Sequence, residues 1–351
     1  MTTGEQQLQS RQSIAGNADS RPPGQNAPAV PARAPKLMDQ LDEALRSRHT
    51  SRCREQACCR WVRRFIFFHS VRHPAEMAEP ESNAFLTHPA VKEKVGASTQ
   101  NQALSALLFL YRHVIGRDVG DLGEVIRAGK PARLPVVMTR DEVKGVLANL
   151  TGDKWLMAAL MYGRGLRLME CLRLRVQDID FSGNEIRVRD GKGAKDRVTM
   201  PPGSLKAPLQ DHLKKVKAIR ERDLAQGWGR VQMPSALDRK YPGAPVEWRW
   251  QWVFPQEDRW INSQTMQQGY HHIDESLIQK AAREAVSRAG LTKRVTCHTF
   301  RHSFATNLPK GGYDIRTVQE LLGHNDVKTT MIYTHVLNRG PAGVRSPVDG
   351  L

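Results

Sequence analysis

Sulfur is scarce in this chain. Five cysteines in 351 residues, Cys53, Cys58, Cys59, Cys171 and Cys297, form neither a disulfide framework nor a paired Cys-x-x-Cys zinc pattern. A reducing cytoplasm is the expected compartment. No run approaches the roughly 18 apolar residues that a membrane-crossing helix needs, so no membrane partner is expected. The amino terminus lacks the apolar core of a secretion signal. Acidic residues are also few, 36 against 53 lysines and arginines, which leaves a formal charge of +17 and a pI near 10.0. So basic a chain is matched to a polyanion, and nucleic acid comes first. Residues 1–35 hold few large apolar side chains and carry Pro22, Pro23, Pro28, Pro31 and Pro35. Such a stretch cannot bury enough surface to offset the entropy of ordering, so a disordered leader is predicted.

What remains divides into two parts. Residues 36–126 read as helical throughout. Leu37, Leu41 and Leu45 recur at four-residue spacing, Trp61, Phe65 and Phe68 form a stripe, and Leu104, Leu107, Leu108 and Tyr111 form another. Arg63 and Arg64 belong to a cluster of arginines around the second helix, and the few acids nearby make it a candidate surface for a nucleic-acid backbone. Residues 127–138, with Gly129, Pro131 and Pro135, read as a basic linker. A capping box, Thr139 to Glu142, then opens the second part. Trp155, Leu156, Ala159 and Leu160 mark a buried helix, and strand-like runs lie at Glu185–Arg189 and Arg197–Met200. Leu205 to Trp228 reads as a long basic helix. Four of the seven tryptophans then fall within thirteen positions, 248 to 260. If Trp248, Trp250 and Trp252 lie in a strand, all three indoles share one face; a local mini-core is the other reading.

The chemistry is concentrated near the carboxyl end. His298 and Arg301 are three apart, so on one helix they can reach the same oxyanion. The period of Ile315, Val318, Leu321 and Leu322 predicts a helix that Gly323 ends, with His324 just beyond it. Tyr333 follows nine residues later. A phenol needs neighbouring positive charge to ionise near neutral pH, which makes it a candidate nucleophile. Upstream, Gly163 and Gly165 introduce Arg167, with Glu170 placed to orient a basic group. Gly191-Lys192-Gly193-Ala194-Lys195 joins the two strand-like runs.

Arg167, Lys192, His298, Arg301, His324 and Tyr333, in that order, resemble the ordered signature of the tyrosine recombinase (phage integrase) family. The stretch Ala236-Leu237-Asp238-Arg239-Lys240-Tyr241-Pro242, then Trp250-Gln251-Trp252-Val253-Phe254-Pro255, then His271-His272, further resembles an integron integrase. The resemblance implies a mainly α fold with a small β-sheet (α+β). It implies a helical core-binding domain of the SAM-like type at 36–126 and a catalytic domain at 139–351, together forming a C-shaped clamp. The catalytic domain includes an insertion at about 210–272 and a tail at 336–351. The implied activity is site-specific recombination that integrates and excises gene cassettes through a 3′-phosphotyrosyl link. Its substrates are a duplex site and a folded single-stranded hairpin site, and its assembly is a homotetramer on DNA. No cofactor and no metal is implied, and the adjacent pair His271-His272 lacks further zinc ligands.

In that scheme Arg167 and Arg301 hold the phosphate oxygens, Lys192 protonates the leaving oxygen, His298 assists Tyr333, and His324 donates to the phosphate. Lys195, Lys240, Arg63 and Arg64 are candidate backbone contacts. Trp248, Trp250, Trp252, His271 and His272 are candidate platforms for extruded bases, since stacking contributes about 1 to 3 kcal/mol per base. A recombinase of another branch, a type IB topoisomerase and a non-catalytic DNA-binding protein are the rivals. Pro309, just after the His298 motif, predicts either an early helix end at Leu308 or a destabilised helix, because an interior proline costs about 3 kcal/mol.

Overall fold

Apolar residues at helical spacing dominate both halves of the chain, and in the computed structural model they form thirteen α-helices among the described residues, with two three-stranded sheets. The structure describes residues 36–48, 50–93, 95–117, 135–189, 196–234, 237–261, 266 and 268–333. The expected leader, most of the linker, Lys192, Lys195 and the tail beyond Tyr333 lie outside them. The chain divides at residues 132 and 133 into two units, each with its own core.

The described residues of the first unit form four α-helices: α1 (Leu37–Ser47), α2 (Arg52–Phe68), α3 (Glu79–Val91) and α4 (Ala97–Leu110). A single π-turn, Tyr111–Ile115, continues α4 and ends at Gly116. Leu41 and Leu45 of α1 meet Trp61, Val62 and Phe65 of α2 and Leu107 and Leu110 of α4. Each such side chain, fully buried, contributes about 1.5–3 kcal/mol. Phe65 makes edge-on contacts with Phe85 and Tyr111 at 5.4 and 6.3 Å. Phe68 departs from the predicted stripe. It is 39% exposed at the rim, against Phe85 and His88.

The second unit is built around α6 (Gly152–Arg164), whose residues from Leu156 to Met161 are all buried. It packs against α5 (Arg140–Ala148), α7 (Leu168–Leu172), α8 (Gly203–Ala225), α10 (Glu275–Arg288) and α11 (Cys297–Lys310). The capping box at Thr139 forms as predicted: its hydroxyl accepts from the Glu142 N–H, and Glu142 accepts from the Thr139 N–H at 2.7 Å. Strands β1 (Ile179–Asp180), β2 (Glu185–Val188) and β3 (Arg197–Thr199) form an antiparallel meander, with Ile186 opposite both Ile179 and Thr199.

The tryptophan-rich segment is not the strand its alternation suggested. Trp248–Trp250 is a 3₁₀ turn that continues one at Ala244–Val246, where Pro245 fixes the backbone angle. The segment holds α9 (Leu237–Lys240) and a second, mixed sheet. In it β6 (Gln268–Tyr270) lies between β4 (Arg230–Val231), parallel to it, and β5 (Trp260–Ile261), antiparallel. Val231, Met233, Ala244, Trp252 and Tyr270 form a separate small core there, so the mini-core reading holds.

Beyond α11 come α12 (Ile315–Leu322) and α13 (Val327–Met331). Asp314 caps α12 by accepting from the Arg316 and Thr317 N–H groups, and Gly323 ends it at φ +62°. Pro309 does not end α11 at Leu308. The helix runs on to Lys310, and the Gly311 and Gly312 N–H groups close its last turn on the Leu308 and Pro309 carbonyls. In the final turn a missing N–H costs only the bond back to residue 305.

Candidate active site

The site is assembled where the end of α6, α7, β3, α11 and the segments after α12 and α13 meet. Gly165, at φ +60°, makes the turn that delivers Arg167. A Cβ there would lie 2.5 Å from a Phe304 ring carbon and 2.8 Å from Leu322, so only glycine allows this approach. Arg167 is the N-cap of α7, and Glu170, on the first turn, accepts from its backbone N–H at 2.8 Å and from its guanidinium at 2.5 Å. Glu170 also takes both ends of Arg197, at 3.0 and 2.7 Å, and lies 3.8 Å from Arg301. Burial works to raise the Glu170 carboxyl. The hydrogen bond and charge of Arg197, with the bonds from Arg167, outweigh it and hold the group at about 2.

Three guanidinium groups therefore share one buried carboxylate, and that excess of positive charge suits a phosphate. Arg301 is 5% exposed. It donates to the Gly165 carbonyl, to the Leu322 carbonyl at 2.6 Å and to His324 Nε2 at 3.2 Å. Because His324 Nε2 accepts from a guanidinium, the ring proton sits on Nδ1, which donates to the Thr330 hydroxyl at 2.9 Å.

Tyr333 is buried among Phe304, Ala305, Val318 and Leu322. Its ring stacks on His324, centroids 6.4 Å apart and 13° from parallel. Burial pushes its phenol above the ordinary value, while the charges of Arg301 and Arg167 pull it back down. Its hydroxyl makes a 2.8 Å hydrogen bond to Nδ1 of His302, not to His298. His298 is exposed at the start of α11, and His302, one turn on, is half-buried.

The structure thus brings Arg167, Arg301, His324 and Tyr333 together. Lys192 lies outside the described residues. Sequence reasoning missed His302 and Arg197. The first had only its place four residues after His298 as a signal, and the second only its position at the end of the glycine-lysine turn.

The remaining candidates are placed less openly than a stacking or backbone role implies. Trp252 and His272 are buried, and Arg175 stacks 3.7 Å over Trp252 while donating to the Trp250 and Gln232 carbonyls at 2.5 and 2.8 Å. Trp248 packs against the main core and Trp250 against the small one. His271 is half-buried, its ring 4.2 Å from that of His272. The reason is shared: indoles and imidazoles bury well, and a segment with its own sheet folds them inward. Lys240 is exposed beside the Tyr241 ring. Arg63 is exposed, while Arg64 pairs with Glu93 at 2.6 Å and lies over Trp61, so an acid does stand against that cluster. A cavity of about 660 Å³ lies beside Arg167, walled by Arg173, Arg189, Trp250, Trp252 and His271 among others. Among the described residues no three His, Cys, Asp or Glu side chains converge as metal ligands, and no helix is long and apolar enough to cross a membrane.

A buried phenol is thus set among guanidinium and imidazole groups. Residues 137–339 match the phage integrase family, and residues 37–121 match the family's N-terminal SAM-like domain. An integrase/recombinase of Escherichia coli is 50% identical over 325 residues, 93% of this chain and 96% of the relative. Tyrosine recombinase XerC of Lactobacillus delbrueckii subsp. bulgaricus is 32% identical over 257 residues, 70% of this chain and 75% of the relative. A lambda integrase dimer bound to a COC′ core site shares the fold at a TM-score of 0.57 and 16% identity, over 87% of this chain and 96% of that one. The chain belongs to the phage integrase family and is a site-specific tyrosine recombinase, an enzyme of DNA recombination.

Proposed function

We propose that Tyr333 attacks the scissile phosphate of DNA, forming a 3′-phosphotyrosyl link and freeing a 5′-hydroxyl. Arg167 and Arg301 hold the non-bridging oxygens as charge develops, and Lys192, which lies between β2 and β3 in the sequence, protonates the leaving oxygen. His298 assists proton transfer at Tyr333, and His324 keeps Arg301 in place and, once protonated at Nε2, donates to the phosphate. The observation that carries this reading is the excess of guanidinium over carboxylate beside a buried phenol. Strand exchange between two such sites calls for a homotetramer on DNA.

The substrate reading is the integron type: a folded single-stranded hairpin recombined with a duplex site, so that gene cassettes are integrated and excised in the cytoplasm. It is supported by the separate core at 231–270 and by the cavity that sets Trp250 and His271 close to Arg167, a size and lining that suit an extruded base. Trp252 and His272 are buried in the fold, so Trp250 and His271 are left to meet a base.

Nicked suicide substrates, one a bulged hairpin and one a duplex, test both levels. The parent chain should form a covalent adduct, and Tyr333→Phe should bind DNA without forming any; an adduct from that variant overturns the nucleophile. Trp250→Ala should lose affinity for the hairpin and keep it for the duplex. Equal losses on both, or reaction with the duplex alone, would assign the enzyme to another branch of the family.

A further inference from the structure

We propose that His302 is the base that takes the proton from Tyr333, a catalytic role distinct from that of His298; the inference rests on Tyr333 being the nucleophile. The geometry is direct. Nδ1 of His302 and the Tyr333 oxygen are 2.8 Å apart, and the two rings lie 5.7 Å apart at 45°. Among the described residues His298 makes no hydrogen bond to Tyr333 and is exposed.

The surroundings fix the direction of that hydrogen bond. Tyr333 is 4% exposed, with His324 stacked on its ring and Phe304, Val318 and Leu322 around it. Burial keeps its proton on the oxygen, so the phenol donates and Nδ1 accepts. The charged and titratable groups facing His302 are His298 and Arg301 from its own helix and Tyr333 from beyond α13; Arg301 and Arg167 act on the phenol, and His324 stacks on its ring. Among the described residues no carboxylate acts on His302. Burial, then His298 and Arg301, push the His302 imidazole below its ordinary value, so it is neutral and ready to accept near neutral pH.

The step balances. The phenolic O–H proton passes to Nδ1 as the tyrosine oxygen bonds to phosphorus. The phosphorus–O5′ bond breaks, and that oxygen takes a proton from Lys192. On resealing, the His302 imidazolium returns its proton to the departing phenolate.

The test measures single-turnover adduct formation on a duplex with sulfur at the 5′-bridging position. A thiolate leaves without the proton from Lys192, so the remaining pH dependence belongs to the nucleophile. The parent rate should rise with pH and level off below the ordinary imidazole value. His302→Asn places an amide oxygen where Nδ1 stood, so it keeps a hydrogen-bond acceptor but no base. It should bind DNA normally, react about a hundredfold or more slowly, and show a rate that climbs about tenfold per pH unit as hydroxide takes over. His302→Ala should regain activity with added imidazole. A His302→Asn variant that reacts at the parent rate, or more slowly with the parent pH profile, overturns the role, as does His302→Ala that imidazole leaves unchanged. No adduct from the parent chain would overturn the Tyr333 reading itself.

Discussion

Glu170 is the residue on which the site's geometry turns. Its two oxygens fix Arg167 and Arg197 and lie against Arg301, so the guanidinium groups stand apart from one another rather than dispersing. Its carboxyl is depressed from 4.5 to about 2. The stabilisation is fully present above the unfolded value near 4.5 and is lost as pH falls through that window toward 2. A shift of this size corresponds to about 3 kcal/mol. Glu170→Gln should therefore lower stability to urea by about that amount at pH 7 and flatten its dependence on pH below 4.5; a variant as stable as the parent at pH 7 would remove Glu170 from this role. The sequence placed a carboxylate where it could orient a basic group. It could not show that the group would include Arg197, 27 residues away in the chain, because tertiary packing, not spacing, brings that side chain to Glu170.

Among the elements, the long helix α8 does two jobs. Leu205, Leu209 and Leu213 at its start belong to the main core, whereas Asp223 near its end is fully buried against the second sheet. Asp223 accepts from the Tyr270 hydroxyl and from Arg259 at 3.2 Å, which pins β6 to the helix. Tyr270→Phe leaves that carboxylate with one fewer donor, at a cost of about 1–3 kcal/mol. Hydrogen exchange should then quicken in β4 to β6 and stay slow in α6 and α11. Uniform acceleration would mean that the insertion and the core unfold as one piece. Helices were legible from their period, and the capping box and the Gly323 stop from single residues. The 3₁₀ turn at Trp248–Trp250 was not, since alternate tryptophans fit a strand equally well until Arg175 and the small core claim their faces.

For the molecule as a whole the governing quantity is a charge of +17. If the enzyme neutralises roughly 6 to 10 phosphates, its affinity for duplex DNA should fall about 10³- to 10⁵-fold between 50 and 200 mM salt. A filter-binding series over that range checks this, and a nearly flat response would mean that the basic surface faces something other than a nucleic-acid backbone. In the first unit Arg63 is exposed while Glu93 engages Arg64. Acids distant in sequence can silence a cluster that looks purely basic when read along one helix.

By itself the sequence determined the helical character, the basic surface and the order of the chemical groups, because periodicity, composition and motif spacing are local properties of a chain. Tertiary structure alone decided which groups touch: that the Tyr333 hydroxyl meets His302 and not His298, that Arg301 rests on the Gly165 and Leu322 carbonyls, and that Trp252 is covered by Arg175. Burial and hydrogen-bond partners come from segments far apart along the chain, so packing, not spacing, chose among residues that the sequence presented as equals.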